Sequence, residues 1–288
     1  MKIGITLAAL RPSLWTEATL LADELGFESV WMPEHLVIPV ELEGSPIAGA
    51  DHPPVPSDVP VFEVFSYLSF LAGQTERIRF GTYVYNIGLR HPLAVARAVV
   101  TLDVLSRGRF EFGIGASWLR AEWDAVGLDF TSRGRRVDEA VEVCQRLWSE
   151  DVIEHHGEFF DFEPVMFVPK PTQTPWPPLH FGGDGPASFR RAATIGDGWI
   201  PLNHSAQAIP GAAAELARRR QAAGRAGIVE ISLAAASADL DHLRSLADAG
   251  VGRALVRPWT SSKDALDGMR RFADQILPDI QAYSATPA

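Results

Sequence analysis

The sequence predicts an α/β fold, the (β/α)8 TIM barrel, from three observations. Eight short apolar runs of the kind that forms buried strands recur along the 288 residues. These runs lack strict apolar–polar alternation, as expected for parallel strands that are buried on both faces. Amphipathic segments with apolar residues three and four positions apart, typical of helices, separate the runs. A doubly wound sheet is the alternative, but it seldom needs eight regular units.

The elements follow one another in a regular order. We predict strands over residues 2–7, 29–32, 78–85, 110–115, 179–182, 198–202, 230–236 and 254–257. Helices are predicted over residues 14–25, 61–74, 92–105, 188–195, 210–223, 240–249 and 262–276. The clearest apolar helix face consists of Val137, Ala140, Val141, Cys144, Leu147 and Trp148, an apolar stripe with spacings of three and four. Because Cys144 belongs to this stripe, the single thiol is predicted to lie in the core. No boundary interrupts the pattern, so residues 1–288 are predicted to form a single domain.

The composition is that of a soluble enzyme, with 47% hydrophobic and 22% charged residues and no apolar run long enough to cross a membrane. The N-terminal apolar stretch is short and broken by Gly4 and Thr6, which predicts a strand rather than a signal peptide. A net charge of −10 argues against non-specific nucleic-acid binding. The single cysteine cannot form an internal disulfide, which fits a reducing cytoplasm. We therefore expect a cytoplasmic protein with neither nucleic acid nor membrane as a partner.

Two long irregular segments, residues 34–60 and 151–178, interrupt the alternation of strands and helices. The first is rich in proline and glycine, and the second contains several prolines. Long loops inside a compact domain are usually lids, binding loops or disorder. We expect both segments to emerge at the C-terminal face of the barrel, where the active sites of this fold lie.

The residues just past the second and third strands are candidates for chemistry. Glu34 and His35 follow the second strand, and a histidine there can donate or accept a proton near neutral pH. The alternative is a histidine that hydrogen-bonds only its own loop. The third strand ends with Tyr83 and Tyr85, which either meet a ligand or pack inside the barrel.

A glycine pair, Gly113 and Gly115, ends the fourth strand and is followed by Trp118. Without a Cβ, the backbone here can approach a flat or phosphorylated ligand closely, and the tryptophan can form a wall for a ring. A tight turn is the alternative interpretation. Because Gly113-x-Gly115 lacks the third glycine of the dinucleotide fingerprint, it does not predict a Rossmann site.

A second glycine-rich stretch follows the fifth strand and leads into a helix. Gly182 and Gly183, with the amides of the helix N-terminus, could cradle a phosphate, or could form a simple turn. The negative charge of Asp184 opposes a phosphate unless the side chain turns away. His204, after the sixth strand, and Arg257, after the eighth, are candidates for substrate contact.

Metal and nucleophile chemistry find little support in the sequence. The first strand ends in apolar residues, where barrel metallohydrolases commonly carry a His-x-His pair. His155 and His156 are adjacent and would point to opposite sides of an extended segment. One cysteine excludes a thiolate cluster, and neither a nucleophile elbow nor a P-loop is present. We expect no metal, and a metal-dependent barrel hydrolase ranks third among the alternatives.

Several motifs together resemble one family. They are Gly81-Thr82, Arg90-His91-Pro92, residues 102–109, 113–118 and 133–139, Gly157-Glu158-Phe159, Pro169-Lys170-Pro171, Pro177-Pro178, Gly182-Gly183 and residues 196–199. The chain thereby resembles the bacterial luciferase-like monooxygenase superfamily from residue 1 to about residue 202, and more loosely beyond. Trp118 after the glycine pair, followed by Glu122, is most similar to the branch of probable coenzyme F420-dependent oxidoreductases.

The resemblance implies a barrel with an insertion before the fifth strand, residues 151–178, and a flavin or deazaflavin ring across the C-terminal mouth. It implies that His35 of the Glu34–His35 pair is the catalytic acid/base. It also implies a non-proline cis peptide at Tyr83–Val84, forming a bulge behind the ring.

Other residues would bind the cofactor by the same resemblance. Gly182 and Gly183 would hold the cofactor phosphate, and the implied contacts to the cofactor as a whole come from Tyr83, Val84, Gly115, Ala116, Trp118, Gly182, Gly183 and Asp184. Trp118 stands where the sugar-phosphate-oxidising members carry a glutamate. That departure argues against a sugar phosphate as the substrate.

The function implied is hydride transfer between coenzyme F420 and a small organic substrate, in either direction, with His35 moving the proton. Both long segments would exclude water from the site. An FMN-dependent monooxygenase that activates oxygen is the main alternative, and a non-catalytic flavin-binding barrel is another. Tyr83, Tyr85, Trp118 and Trp259 suggest an apolar or aromatic substrate. Members of the superfamily are commonly dimers, so we expect a homodimer.

Overall fold

The computed structural model describes residues 1–42, 45–47 and 56–284. The strands of this part are β1 (Lys2–Thr6), β2 (Ser29–Met32), β3 (Arg79–Thr82), β4 (Tyr85–Asn86), β5 (Phe110–Gly115), β6 (Val152–His156), β7 (Asp161–Met166), β8 (Leu179–Gly182), β9 (Gly198–Ile200), β10 (Glu230–Ala234) and β11 (Arg253–Val256). The helices are α1 (Trp15–Leu25), α2 (Val64–Ala72), α3 (Pro92–Leu105), α4 (Arg120–Ala125), α5 (Arg133–Ser149), α6 (Pro186–Thr194), α7 (Ile209–Ala222), α8 (Leu240–Asp248), α9 (Ala265–Gln275) and α10 (Leu277–Ala282).

Parallel pairing closes the sheet into a barrel. The strands pair in the order β1, β2, β3, β5, β8, β9, β10 and β11, and β11 pairs back onto β1 with Lys2 opposite Arg253. The predicted (β/α)8 barrel is therefore confirmed, and each of its eight strands coincides with a predicted apolar run. The helices pack their apolar faces against the outside of the barrel, as α5 does with the stripe that contains the buried Cys144.

The third predicted strand is interrupted. Residues 78–85 were expected to form one strand, but β3 ends at Thr82 and a short β4 begins at Tyr85. A cis peptide joins Tyr83 to Val84 between them, as the resemblance implies. β4 then continues the pairing with β5 near the C-terminal end of the barrel.

The segment of residues 151–178 differs from expectation in structure and in position. It was expected to be irregular and to lie at the C-terminal face. Instead it contains an antiparallel hairpin, β6–β7, whose turn donates the amides of Phe159 and Phe160 to Glu139 on α5. Farther along, Gln173 donates to the carbonyl of Phe110, the first residue of β5. Because α5 returns the chain to the N-terminal face, the segment runs along the outside of the barrel.

A buried charge cluster fills the N-terminal half of the barrel. The guanidinium of Arg253, with a side chain that is 0% exposed, lies 2.9 Å from carboxylate oxygens of Glu28, Glu111 and Glu230. His180 Nε2 lies 2.9 Å from Glu111 Oε2. Glu111, His180 and Glu230 are close enough to hold a metal ion, but Arg253 already engages both carboxylates, so the grouping is an ion-pair cluster.

Candidate functional site

A cavity of about 570 Å³ opens at the C-terminal ends of the barrel strands. Its wall includes nine of the residues singled out from the sequence: Glu34, His35, Tyr83, Val84, Gly115, Ala116, Trp118, Gly182 and Gly183. It also includes residues that were not among the predicted site residues, namely Asn86, Ser117, Arg133, Gly134, Gly185, Ser188 and Arg191. The barrel and the loops after its strands thus bring most of the candidates to one place.

The bulge at Tyr83–Val84 forms part of the wall of this cavity. A Cβ at Gly115 would lie 2.6 Å from Val84 Cγ2, and one at Gly182 would lie 2.8 Å from Val84 Cγ1. These two glycines therefore let two strands close around the valine, which is a reason for glycine that the sequence did not reveal. Burial raises the pKa of Tyr83 to about 12, so its phenol is neutral at physiological pH.

His35 is held in the cavity wall by a carboxylate from another element. Its Nδ1 lies 3.4 Å from Oε2 of Glu122 on α4, and its ring stands edge-on to Trp118 with a centroid separation of 6.2 Å. The histidine side chain is 18% exposed, whereas that of Glu122 is 0% exposed. The ring is therefore accessible from the cavity while its anchor is shielded from solvent.

Glu34 has a different environment from its neighbour His35. Its Oε1 accepts a hydrogen bond of 2.5 Å from Arg90 Nη2, and its Oε2 accepts one of 2.9 Å from the amide of Asn86. Burial raises the pKa of Glu34, and the pairing with Arg90 opposes that rise. With both oxygens engaged, this carboxylate fixes the loop after β2 to the end of β4.

The part of the cavity wall at the N-terminus of α6 has features that suit an anion. Gly183 has a φ of +109°, a conformation that L side chains rarely adopt, and it turns the chain into α6. The amides of Ala187 and Ser188 in the first turn of α6 make no hydrogen bond within the described ranges. Arg133 contributes a guanidinium that contacts the carbonyl and the ring of Phe130, with no carboxylate of the described residues paired to it.

These features together suit a phosphorylated tricyclic cofactor. Free amides at a helix N-terminus and an unpaired guanidinium suit a phosphate. Val84, which packs into the space beside Gly115 and Gly182, provides an apolar part of the cavity wall that suits the face of a ring.

Three predicted site residues do not belong to the cavity wall. The carboxylate of Asp184 turns away and accepts hydrogen bonds from the amides of Leu202 and Asn203 and from His204 Nδ1. His204 is thereby tied to the loop after β9. Arg257 is exposed and donates to the carbonyl of Thr260.

Two aromatic residues expected at the mouth are core residues instead. Tyr85 is 4% exposed and packs against Phe65 and Phe112. Trp259 is 5% exposed and donates to the carbonyl of Ala9. Of the aromatic residues predicted to line the mouth, Tyr83 and Trp118 do so.

The comparisons with known proteins agree with this architecture. Residues 8–273 match the model of the family described as luciferase-like monooxygenase. An uncharacterized protein of Mycobacterium tuberculosis strain H37Rv is 30% identical over 275 residues, which are 95% of this chain and 94% of that protein. A phthiodiolone/phenolphthiodiolone dimycocerosates ketoreductase of Mycobacterium tuberculosis strain H37Ra is 29% identical over 199 residues, which are 67% of this chain and 52% of the ketoreductase.

Three solved structures are similar in fold. The monooxygenase RslO1 from Streptomyces bottropensis matches with a TM-score of 0.77 and 23% identity, covering 97% of this chain and 99% of its own. An F420-dependent secondary alcohol dehydrogenase in complex with an F420-acetone adduct matches with a TM-score of 0.77 and 18% identity, covering 97% of this chain and 98% of the dehydrogenase. The oxygenating constituent of 3,6-diketocamphane monooxygenase from Pseudomonas putida, in complex with FMN, matches with a TM-score of 0.65 and 17% identity. The match covers 81% of this chain and 67% of that chain.

Within the described ranges, no helix is both long enough and apolar enough to cross a bilayer.

Proposed function

The chain belongs to the luciferase-like monooxygenase family, and from that premise we propose that it is an F420-dependent oxidoreductase acting on a small organic substrate. One observation carries the proposal. A histidine anchored by a buried carboxylate, His35 with Glu122, lies in the wall of a cavity that is also lined by a helix N-terminus and an arginine suited to a phosphate. Reduction of a carbonyl, or oxidation of an alcohol, needs one proton besides the hydride, and an imidazole can supply or accept it.

Different residues would bind the cofactor and transfer the proton. Gly183, the first-turn amides of α6 and Arg133 would hold the phosphate, and Val84 would support the ring. When bound, the cofactor supplies or takes up the hydride.

His35 would hold the substrate oxygen and move its proton. For an alcohol substrate, the C–H bond gives up the hydride while the O–H bond gives its proton to His35. Carbonyl reduction runs the same transfers in reverse. The hydrogen bond to Glu122 would hold the imidazole of His35 in one orientation toward the cavity.

Two further observations support this choice without deciding the cofactor. The F420-dependent alcohol dehydrogenase resembles this chain over nearly the full length of both proteins, and one sequence relative is named a ketoreductase. The second candidate is a flavin-dependent monooxygenase that activates oxygen. It is favoured by the equal fold similarity of the Streptomyces bottropensis monooxygenase.

Cofactor titration of the purified protein tests the proposal. F420 and FMN would be added separately and followed by fluorescence, with the Gly183→Trp variant as a control for binding at the proposed cradle. We expect tighter binding of F420 than of FMN, and weaker binding of both by the variant. Preference for FMN would favour the monooxygenase. Failure of both cofactors to bind would refute the cradle and the function together.

A further inference from the structure

Glu122 is the most completely buried acidic side chain next to the cavity, and four groups converge on its carboxylate. Oε1 accepts a hydrogen bond of 2.5 Å from the amide of Leu36. Oε2 lies 3.4 Å from His35 Nδ1, 3.4 Å from Asn86 Nδ2 and 3.2 Å from Ser117 Oγ. Burial alone would raise the pKa of Glu122, but the hydrogen bonds from His35, Leu36 and Ser117 hold it below its usual value. The carboxylate is therefore ionised at neutral pH.

An ionised carboxylate can only accept hydrogen bonds, and this restricts the histidine. When the imidazole is neutral, one ring nitrogen carries the proton and the other carries a lone pair. With Glu122 beside Nδ1, the proton belongs on Nδ1, and Nε2 keeps the lone pair. Among the described residues, Nε2 of His35 has no hydrogen-bond partner, so it is available to a molecule in the cavity.

The same carboxylate also fixes the backbone on which the ring stands. Its bond to the amide of Leu36 holds the peptide that directly follows His35. Ser117, which has a φ of +62°, directs its hydroxyl to Glu122 while its Oγ accepts from the amide of Leu119. The loop after β5 and the loop after β2 are thus joined at one carboxylate. Glu34 cannot take this role, because its oxygens are bound to Arg90 and to the amide of Asn86.

We propose that Glu122 is a positioning residue that sets the tautomer and the orientation of His35, so that Nε2 exchanges the proton with the substrate. The proton-exchange part rests on the proposed function, whereas the tautomer can be measured on the protein without any cofactor.

The test is nitrogen NMR of the histidine rings in the cofactor-free protein, at an alkaline pH where the imidazoles are neutral. The His35 signals are assigned by their loss in a His35→Asn variant. In the wild-type protein we expect a protonated Nδ1 and an unprotonated Nε2. In Glu122→Gln, the amide group can donate to Nδ1, and we expect the population to move to the tautomer with the proton on Nε2. Glu122→Asp, which keeps the charge, should retain the wild-type tautomer in part.

Glu142→Gln is the matched control, because Glu142 is an exposed residue of α5 outside the cavity wall. It should leave the His35 signals unchanged. In kinetics, Glu122→Gln should lower kcat by about 10²–10⁴-fold, the range seen when a histidine loses its orienting carboxylate or its catalytic role. The dissociation constant of the cofactor should stay within about twofold of the wild-type value, which a general loss of structure would not allow.

A proton on Nε2 in the wild-type protein would overturn the proposal, and so would an unchanged His35 spectrum in Glu122→Gln. The wild-type spectrum decides the tautomer even if the variant does not fold. The two proposals fail separately. A reversed tautomer with intact F420 binding overturns the positioning role alone, whereas the expected tautomer with no cofactor binding overturns the function alone.

Discussion

The ion-pair cluster in the N-terminal half of the barrel predicts a large loss of stability when Arg253 is replaced. We choose Arg253→Met, which keeps a long side chain beside Trp31, over whose ring the guanidinium lies at 5.1 Å. The variant leaves Glu28, Glu111 and Glu230 with two nearby cations, Lys2 and Arg79, which lie 2.6 Å from Glu230 and Glu111 respectively. Three carboxylates then face two cations at the buried end of the barrel.

Removing one partner of a buried ion pair costs about 3–5 kcal/mol, because an uncompensated charge remains in a poorly solvated place. We expect a decrease of this size in the free energy of unfolding at pH 7, measured by urea denaturation. Arg218→Met is the matched control. Arg218 is 68% exposed and pairs with Glu215 on the surface of α7, so its loss should leave the unfolding midpoint nearly unchanged.

The stability difference between the wild-type protein and Arg253→Met should also depend on pH. Burial would raise the pKa of Glu111, but His180 and Arg253 hold it well below its ordinary value of 4.5. A carboxyl group with a lowered pKa in the folded state stabilises the protein above the unfolded pKa, and this contribution is lost as the pH falls. Because Arg253 contributes to the lowered pKa of Glu111, the difference in the free energy of unfolding between the wild-type protein and Arg253→Met should become smaller below about pH 4.5. A loss under about 1 kcal/mol at pH 7 would refute the reasoning.

Three further predictions concern the cavity. His35→Ala should lower turnover by about 10²–10⁴-fold while the affinity for the cofactor is retained. His156→Ala, in the exposed hairpin, should change neither turnover nor affinity. Unchanged turnover in His35→Ala would exclude His35 from the mechanism. Gly183→Trp should raise the dissociation constant of the cofactor at least about tenfold, because a side chain at a φ of +109° strains the backbone and fills the proposed phosphate site. An unaltered dissociation constant would show that the phosphate does not bind at Gly183. Arg133→Met should weaken FMN more than riboflavin, since riboflavin lacks the phosphate; equal weakening would place the arginine elsewhere in the site.

The barrel could be predicted because its strands are buried runs that carry their signal locally. The positions of Glu34, His35 and Gly183 followed from the same pattern, since residues just past the strands of a barrel meet at one face. The placement of residues 151–178 at the C-terminal face was wrong because the segment follows a predicted helix and precedes a strand, and such a connection starts at the N-terminal face of a barrel. Its hairpin depends on Glu139, whose contacts are made across the fold.

The missed parts of the site depend on contacts between distant residues. Glu122 was noted beside Trp118 in the sequence, but its partner His35 lies 87 positions away in the chain. A glutamate between Ala121 and Trp123 gives no local sign of being fully buried. Asp184 was expected at the cofactor because of its place in the glycine-rich stretch. Its side chain instead binds the loop after β9, a direction that residue order does not specify.

The association state remains a prediction from the family resemblance. A homodimer is expected, and light scattering of the purified protein measures it directly. A monomer over the working concentration range would contradict the expectation.

The most direct test of the central claim is oxygen uptake during turnover. Reduced F420 would be supplied with a panel of neutral ketones, and product would be measured with and without oxygen while an electrode records its consumption. Hydride transfer assisted by His35 predicts equal product formation in both atmospheres and no uptake coupled to product. Product that forms only in air, with one molecule of O2 consumed for each molecule of product, would contradict the account and identify an oxygen-activating enzyme.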